Sequence, residues 1–211
     1  MTTLPSRRNM LALAAGAFAC GVALPATAQE PRVPELMAAG ALPDLWSGSP
    51  NAPVTIIEYA SMSCNHCAAF HERTMPVLRK DYIETGQVRF VLREFPLEPF
   101  ALAAFMLARS FGDRRDEIVD FLFATQSRWL FVQDTMAGLT AIMKEKGMGE
   151  ADFQSTLRNE TLLKNVMSVH DVAAEKFGVA STPTFFINGV KYLGNQSPDA
   201  MRKILDPLVR I

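Results

Sequence analysis

The run Val54-Thr55-Ile56-Ile57-Glu58-Tyr59 has the length and β-branched content of a buried strand. It ends just before Cys64-Asn65-His66-Cys67, which opens a helical stretch. Two thiols at this spacing can close a small disulfide ring. The first lies where unpaired helix N–H groups and the helix dipole favour negative charge. A thiolate is the attacking species in disulfide exchange, so lowering Cys64 from the free value of ~8.5 into the range ~3.5 to 7.5 makes it reactive at neutral pH. Cys67, one turn further in, is expected to be more buried. It would be the resolving thiol that attacks a mixed disulfide between Cys64 and a client.

The rest of the chain is of α/β type. The helix opened by Cys64 is expected to reach Thr85 with a kink at Pro76. Val88 to Arg93 reads as a second strand, closed by Pro96 and Pro99. Residues 100–177 carry no strand pattern, only helical stretches at 101–110, 116–125, 135–146, 150–157 and 162–177, with Gly112, Gly147 and Gly178 at helix ends. Phe121, Leu122, Leu139, Ile142, Met143, Phe153, Val166 and Val169 recur there at helical spacings and belong to a core rather than a cofactor site. Thr184–Ile187 and Val190–Leu193, joined by Asn188-Gly189, form a hairpin signal, and a last helix is expected over 198–209.

Residues 1–28 read as a cleaved export signal: Arg7 and Arg8, an apolar stretch from Met10 to Leu24, then Ala26-Thr27-Ala28. That stretch is shorter than the roughly 20 residues of a membrane span. The general secretory route is the default, and Ser6-Arg7-Arg8 also fits a twin-arginine signal. Ala17-Phe18-Ala19 is a poor match for the approach to an acylated Cys20. Removing the segment leaves Cys64 and Cys67 as the only cysteines of residues 29–211, so stability must come from an ordinary core. The only charged residues of the segment are Arg7 and Arg8, so 19 basic and 22 acidic residues remain, a net charge of −3. Nothing in that balance suggests nucleic acid or an anionic membrane. Residues 29–53, punctuated by Pro31, Pro34, Pro43, Pro50 and Pro53, read as an extended lead-in with at most a helical turn over 35–41.

Several residues attach to the Cys64 chemistry. His66 can donate to the thiolate or place positive charge near it. Glu58 occupies a strand position where burial is costly unless the acid is solvated, paired or protonated. It is read either as an edge-facing glutamate or as a proton acceptor behind Cys67. Pro183, taken alone, is an ordinary trans loop proline. A cis form would expose a short backbone edge to an extended peptide. His71 and His170 read as surface or helix-packing residues. A structural zinc site normally takes four ligands, and no second C-x-x-C or histidine pair at matching spacing is present, so no metal is assigned.

Glu58-Tyr59-Ala60-Ser61-Met62-Ser63-Cys64-Asn65-His66-Cys67 and Val179-Ala180-Ser181-Thr182-Pro183-Thr184-Phe185-Phe186-Ile187-Asn188-Gly189 together make the chain resemble the DsbA-like thiol-disulfide interchange proteins of bacterial periplasms, from about Pro50 onward. The resemblance implies a thioredoxin fold, over 54–97 and 178–211, with an inserted all-helical domain over 98–177. It also implies a nucleophilic Cys64 of low pKa, a resolving Cys67 and a cis-proline at Pro183, with Thr182 and Pro183 binding substrate and Asn65, His66 and Glu58 tuning the redox balance. The Cys64-Cys67 disulfide is then the redox group, with no cofactor. Its partners would be unfolded exported polypeptides and a DsbB-type membrane quinone reductase, and the protein would be a periplasmic monomer.

Two positions depart from that pattern. Asn65 stands where the familiar family member has proline, and the residues between the cysteines tune oxidising power, about 30 mV corresponding to ~1.4 kcal/mol. Thr182 is associated more with the isomerase branch. A dithiol oxidase is the preferred expectation, because the lead-in is short for an isomerase's dimerisation segment. A disulfide isomerase or reductase stays open, as does a periplasmic copper- or zinc-binding or holdase module.

Overall fold

The computed structural model describes residues 33–38 and 40–209, so the expected export segment lies outside the described residues. The described residues build a four-stranded mixed sheet. β1 (Val54–Ala60) and β2 (Val88–Glu94) are parallel neighbours in the register Val54 opposite Val88 to Ala60 opposite Glu94. β3 (Thr184–Ile187) runs antiparallel along the other side of β1, and β4 (Val190–Leu193) lies outside it, giving the order β2-β1-β3-β4. The two-residue period of the strands sends Ile56, Phe90, Leu92, Phe185 and Ile187 into one layer with Phe70, Leu78, Met201 and Leu205. Ile57, Tyr59, Val91 and Phe186 face the opposite layer, against Leu36, Ala173 and Phe177.

The helix expected over 64–85 is broken into α2 (Asn65–Arg73), α3 (Met75–Leu78) and a π-helical turn over Arg79–Ile83. Pro76 has no N–H to place in a ladder, which costs nothing in a first helical turn, so the chain restarts there instead of kinking. The junction residue Thr74 donates its N–H to the Phe70 carbonyl at 2.8 Å and its hydroxyl to the Gln196 carbonyl at 2.8 Å.

Between β2 and β3 come α4 (Pro99–Arg109), a 3₁₀ turn (Gly112–Arg114), α5 (Arg115–Ala124), α6 (Gln126–Trp129), α7 (Thr135–Glu145), α8 (Glu150–Leu157) and α9 (Glu160–Phe177). α6 is too short to show a helical period, and the sequence does not predict it. It is fixed by Trp129, fully buried, whose indole N–H donates to the Leu122 carbonyl at 2.9 Å. α9 starts two residues before the expected position because the Asn159 side chain accepts the Leu162 N–H at 3.0 Å. It ends at Gly178 in the left-handed region, φ 60°. The hairpin turn is as its sequence predicts, with Asn188 and Gly189 at φ 47° and 89°. α10 (Pro198–Val209) closes the chain.

The lead-in is not merely extended. α1 (Val33–Met37) buries Leu36, Ser47 forms an antiparallel bridge to Phe90, and Asp44 holds Arg93 through two bonds of 2.7 and 2.9 Å. The helical block is fastened to the sheet at Glu94. This fully buried carboxylate takes Arg109 at 2.7 and 3.1 Å and Arg115 at 2.9 Å.

Candidate active site

Cys64 is the N-cap of α2, extended at φ −81° and ψ 116°, and its sulfur accepts the Cys67 N–H at 3.4 Å. The same Sγ–H donates to the Thr182 carbonyl at 3.3 Å. The Cys67 thiol holds the Cys64 thiol down to about 5; burial opposes this, and Thr182 together with the Cys67 and His66 N–H groups adds to it. Cys67 is fully buried. That burial, with the Cys64 sulfur and the Glu58 charge, pushes its thiol up. The pair is therefore asymmetric, with one sulfur ready to be a thiolate and the other held as a thiol.

The approach to the motif is built by contacts with no local sequence signal. Gln126 of α6 donates its side-chain N–H to the Met62 carbonyl at 2.8 Å, and the Leu97 N–H donates to Ser61 Oγ at 3.2 Å. Antiparallel pairing puts Thr184 opposite Tyr59, so the Thr182-Pro183 loop lies beside the end of β1 from which the Cys64 loop leaves. The Thr182–Pro183 peptide is cis. Thr182 Oγ1 is buried and without a hydrogen-bond partner, which leaves its hydroxyl available to a thiolate at Cys64. Asn65 and His66 are exposed at the helix start. His66 assists Cys64 through its backbone N–H.

Glu58 is fully buried rather than edge-facing, because β1 is flanked by β2 and β3. The α2 layer supplies its partner: His71 Nε2 stands 2.9 Å from Glu58 Oε2, and His71 Nδ1 stands 2.9 Å from Asp120 Oδ1. Arg79 donates to Asp120 Oδ2 at 2.8 Å. Burial alone would push the imidazole down, yet Glu58 and Asp120 hold it up at about 9. At neutral pH His71 is thus a cation held between Glu58 and Asp120. This differs from the surface or packing place its sequence position suggests. Nothing local to a histidine one turn beyond Cys67 points to Glu58 or Asp120. His170 is a helix-packing residue, pairing with its neighbour Asp171 at 2.9 Å and lying against the Phe95 ring.

Comparison with known proteins places this geometry. Residues 41–207 match the thioredoxin family. The chain is 30% identical over 165 residues to a provisionally named protein-disulfide oxidoreductase of Rickettsia conorii, covering 77% of this chain and 59% of that protein. It thus spans about three fifths of that relative's length. It is 25% identical over 166 residues to a provisionally named disulfide bond formation protein D of Bacillus cereus, covering 75% of this chain and 76% of that one. The crystal structure of alpha-DsbA1 from Wolbachia pipientis superposes with a TM-score of 0.77 at 26% identity, covering 84% of this chain and 96% of that one.

Proposed function

The chain belongs to the thioredoxin family as a DsbA-like member with a helical insert, and from that premise we propose that it is a thiol-disulfide oxidoreductase acting as a dithiol oxidase. The observation that carries this reading is the asymmetry of the pair: Cys64 caps α2 and accepts the Cys67 N–H, which goes with a thiol held down to about 5, while Cys67 is fully buried and pushed up. A stabilised thiolate favours the reduced form of the pair, and a disulfide whose reduced form is favoured is a strong oxidant.

In the proposed cycle a client thiolate attacks Cys64 Sγ, the Cys64–Cys67 bond breaks, and Cys67 leaves and takes a proton. A second client thiolate then attacks the client sulfur of the mixed disulfide and releases Cys64 as thiolate. Two electrons pass from client to protein. Glu58 gives and takes the Cys67 proton, Thr182 and Pro183 present backbone to the client, and the disulfide itself is the redox group. The setting is the periplasm, after removal of residues 1–28, with unfolded exported polypeptides as clients, reoxidation by a DsbB-type membrane quinone reductase, and a monomeric state.

The test is to mix the oxidised protein with a reduced peptide carrying two cysteines. Stoichiometric disulfide formation, lost in Cys64→Ser, is expected. No transfer, with Cys64 titrating near ~8.5, would sink the proposal. Thr182 supports a second reading, an isomerase or reductase. Recovery of scrambled ribonuclease together with a reduced resting state in cells would favour that one.

A further inference from the structure

We infer that His71, held between Glu58 and Asp120, is the positioning residue that keeps one oxygen of Glu58 free to exchange a proton with Cys67. The inference rests on the thiol-disulfide reading and names the device by which the buried thiol is switched.

The geometry runs from the core to the surface. Glu58 Oε2 is engaged by His71 Nε2, while Glu58 Oε1 is buried with no hydrogen-bond partner. Leaving a buried carboxylate oxygen without a partner is costly, and such a site is where a functional explanation is owed. The charged groups that face His71 are Glu58 from β1 and Asp120 from α5, with Arg79 behind Asp120. The Glu58 charge also reaches Cys67, one turn earlier on α2 than His71. The Phe123 ring stacks on the imidazole at 4.5 Å and the Phe70 ring meets it edge-on at 5.6 Å. Asp120 is one-third exposed and Arg79 more so, so the alternating charges Arg79, Asp120, His71 and Glu58 end in solvent.

The step it serves is the closing of the disulfide. With Cys64 in a mixed disulfide to an oxidant's sulfur, Cys67 Sγ loses its proton to Glu58 Oε1. The Cys67 thiolate attacks Cys64 Sγ, the Cys64–Cys67 bond forms, and the oxidant's sulfur leaves as a thiolate. When a client later opens that bond, the proton returns from Glu58 Oε1 to Cys67 Sγ. The acceptor must be ionised for this. A buried carboxyl without a cationic partner takes up a proton instead, and the His71 imidazolium supplies the cation. Asp120, fixed by Arg79, keeps the imidazole protonated.

The test uses the reduced full chain and oxidised glutathione, with the resolving step followed by stopped flow between pH 6 and 9. The native rate should be nearly independent of pH across that range. In His71→Gln the rate at pH 6 to 7 should fall roughly tenfold, a fraction of what a positioned acid–base group commonly contributes. It should climb back toward the native rate as pH approaches 9. Asp120→Asn, on the partly exposed side, should show the same trend more weakly, and His71→Lys should restore the flat profile. Flat, native-like profiles in His71→Gln and Asp120→Asn, even with lowered melting temperatures, would overturn the inference and leave His71 a structural residue. If the native chain fails to exchange through Cys64 at all, the thiol-disulfide reading falls, and this one with it.

Discussion

Glu58 and Glu94 are both fully buried, on neighbouring parallel strands and facing the same layer, one same-face step apart in the register. They are held in opposite ways. Glu94 is gripped by Arg109 and Arg115. Burial would raise its pKa, and the two guanidinium groups instead bring it down to about 2. Glu58 has one imidazole and one bare oxygen. A guanidinium does not deprotonate in proteins, whereas an imidazole does. The same side chain in the same kind of burial is therefore held by two permanent cations in one place and by a single titratable one in the other, and the chemistry of the partner makes the difference.

The largest effect expected from this contrast is on stability. Arg115→Met removes a fully buried cation and leaves Glu94 with Arg109 alone, which should cost about 3–5 kcal/mol in urea unfolding. Next, Glu94→Gln should destabilise by about 2 kcal/mol more than Glu58→Gln, because the former strands two arginines and the latter already lacks a partner on one oxygen. Equal losses would erase the distinction.

The pH dependence separates the two further. Glu94 has a depressed folded value, so its contribution is complete above the unfolded value of ~4.3 and is lost as pH falls through about 2. His71 has a raised one, so its contribution is complete below ~6.5 and is lost as pH rises through about 9. Urea midpoints against pH should flatten on the acid side in Glu94→Gln and on the alkaline side in Asp120→Asn. The smallest effect lies at the thiolate. Absorbance at ~240 nm should titrate with a midpoint of about 5, and Thr182→Val should raise it by less than about one unit.

Features governed by neighbours along the chain are legible in the amino-acid sequence. The strand into C-x-x-C, the Asn188-Gly189 turn and the helical segment between β2 and β3 each depend on local period or local backbone preference. Glu58 is visible as an acid in a strand, because a charge in an apolar run is conspicuous. Its partners are not. His71 meets Glu58 only because α2 packs on β1, and Asp120 arrives from the helical block 49 residues further along the chain. Gln126 is hidden for the same reason, being 64 residues from Met62. The break at Thr74 reads as a kink in the sequence because Pro76 gives the same signal at a bend and in a first turn.

The bridge between Ser47 and Phe90 also determines how the sheet ends. By pairing with the outer side of β2, the lead-in occupies part of an edge that would otherwise offer unpaired N–H and C=O groups to another chain. The opposite edge, β4, is only four residues long and carries Lys191. A short edge with a charge is a poor template for strand addition. One border is covered and the other is brief, so the sheet resists growing by edge-to-edge association, a useful property for a protein proposed to work among unfolded chains.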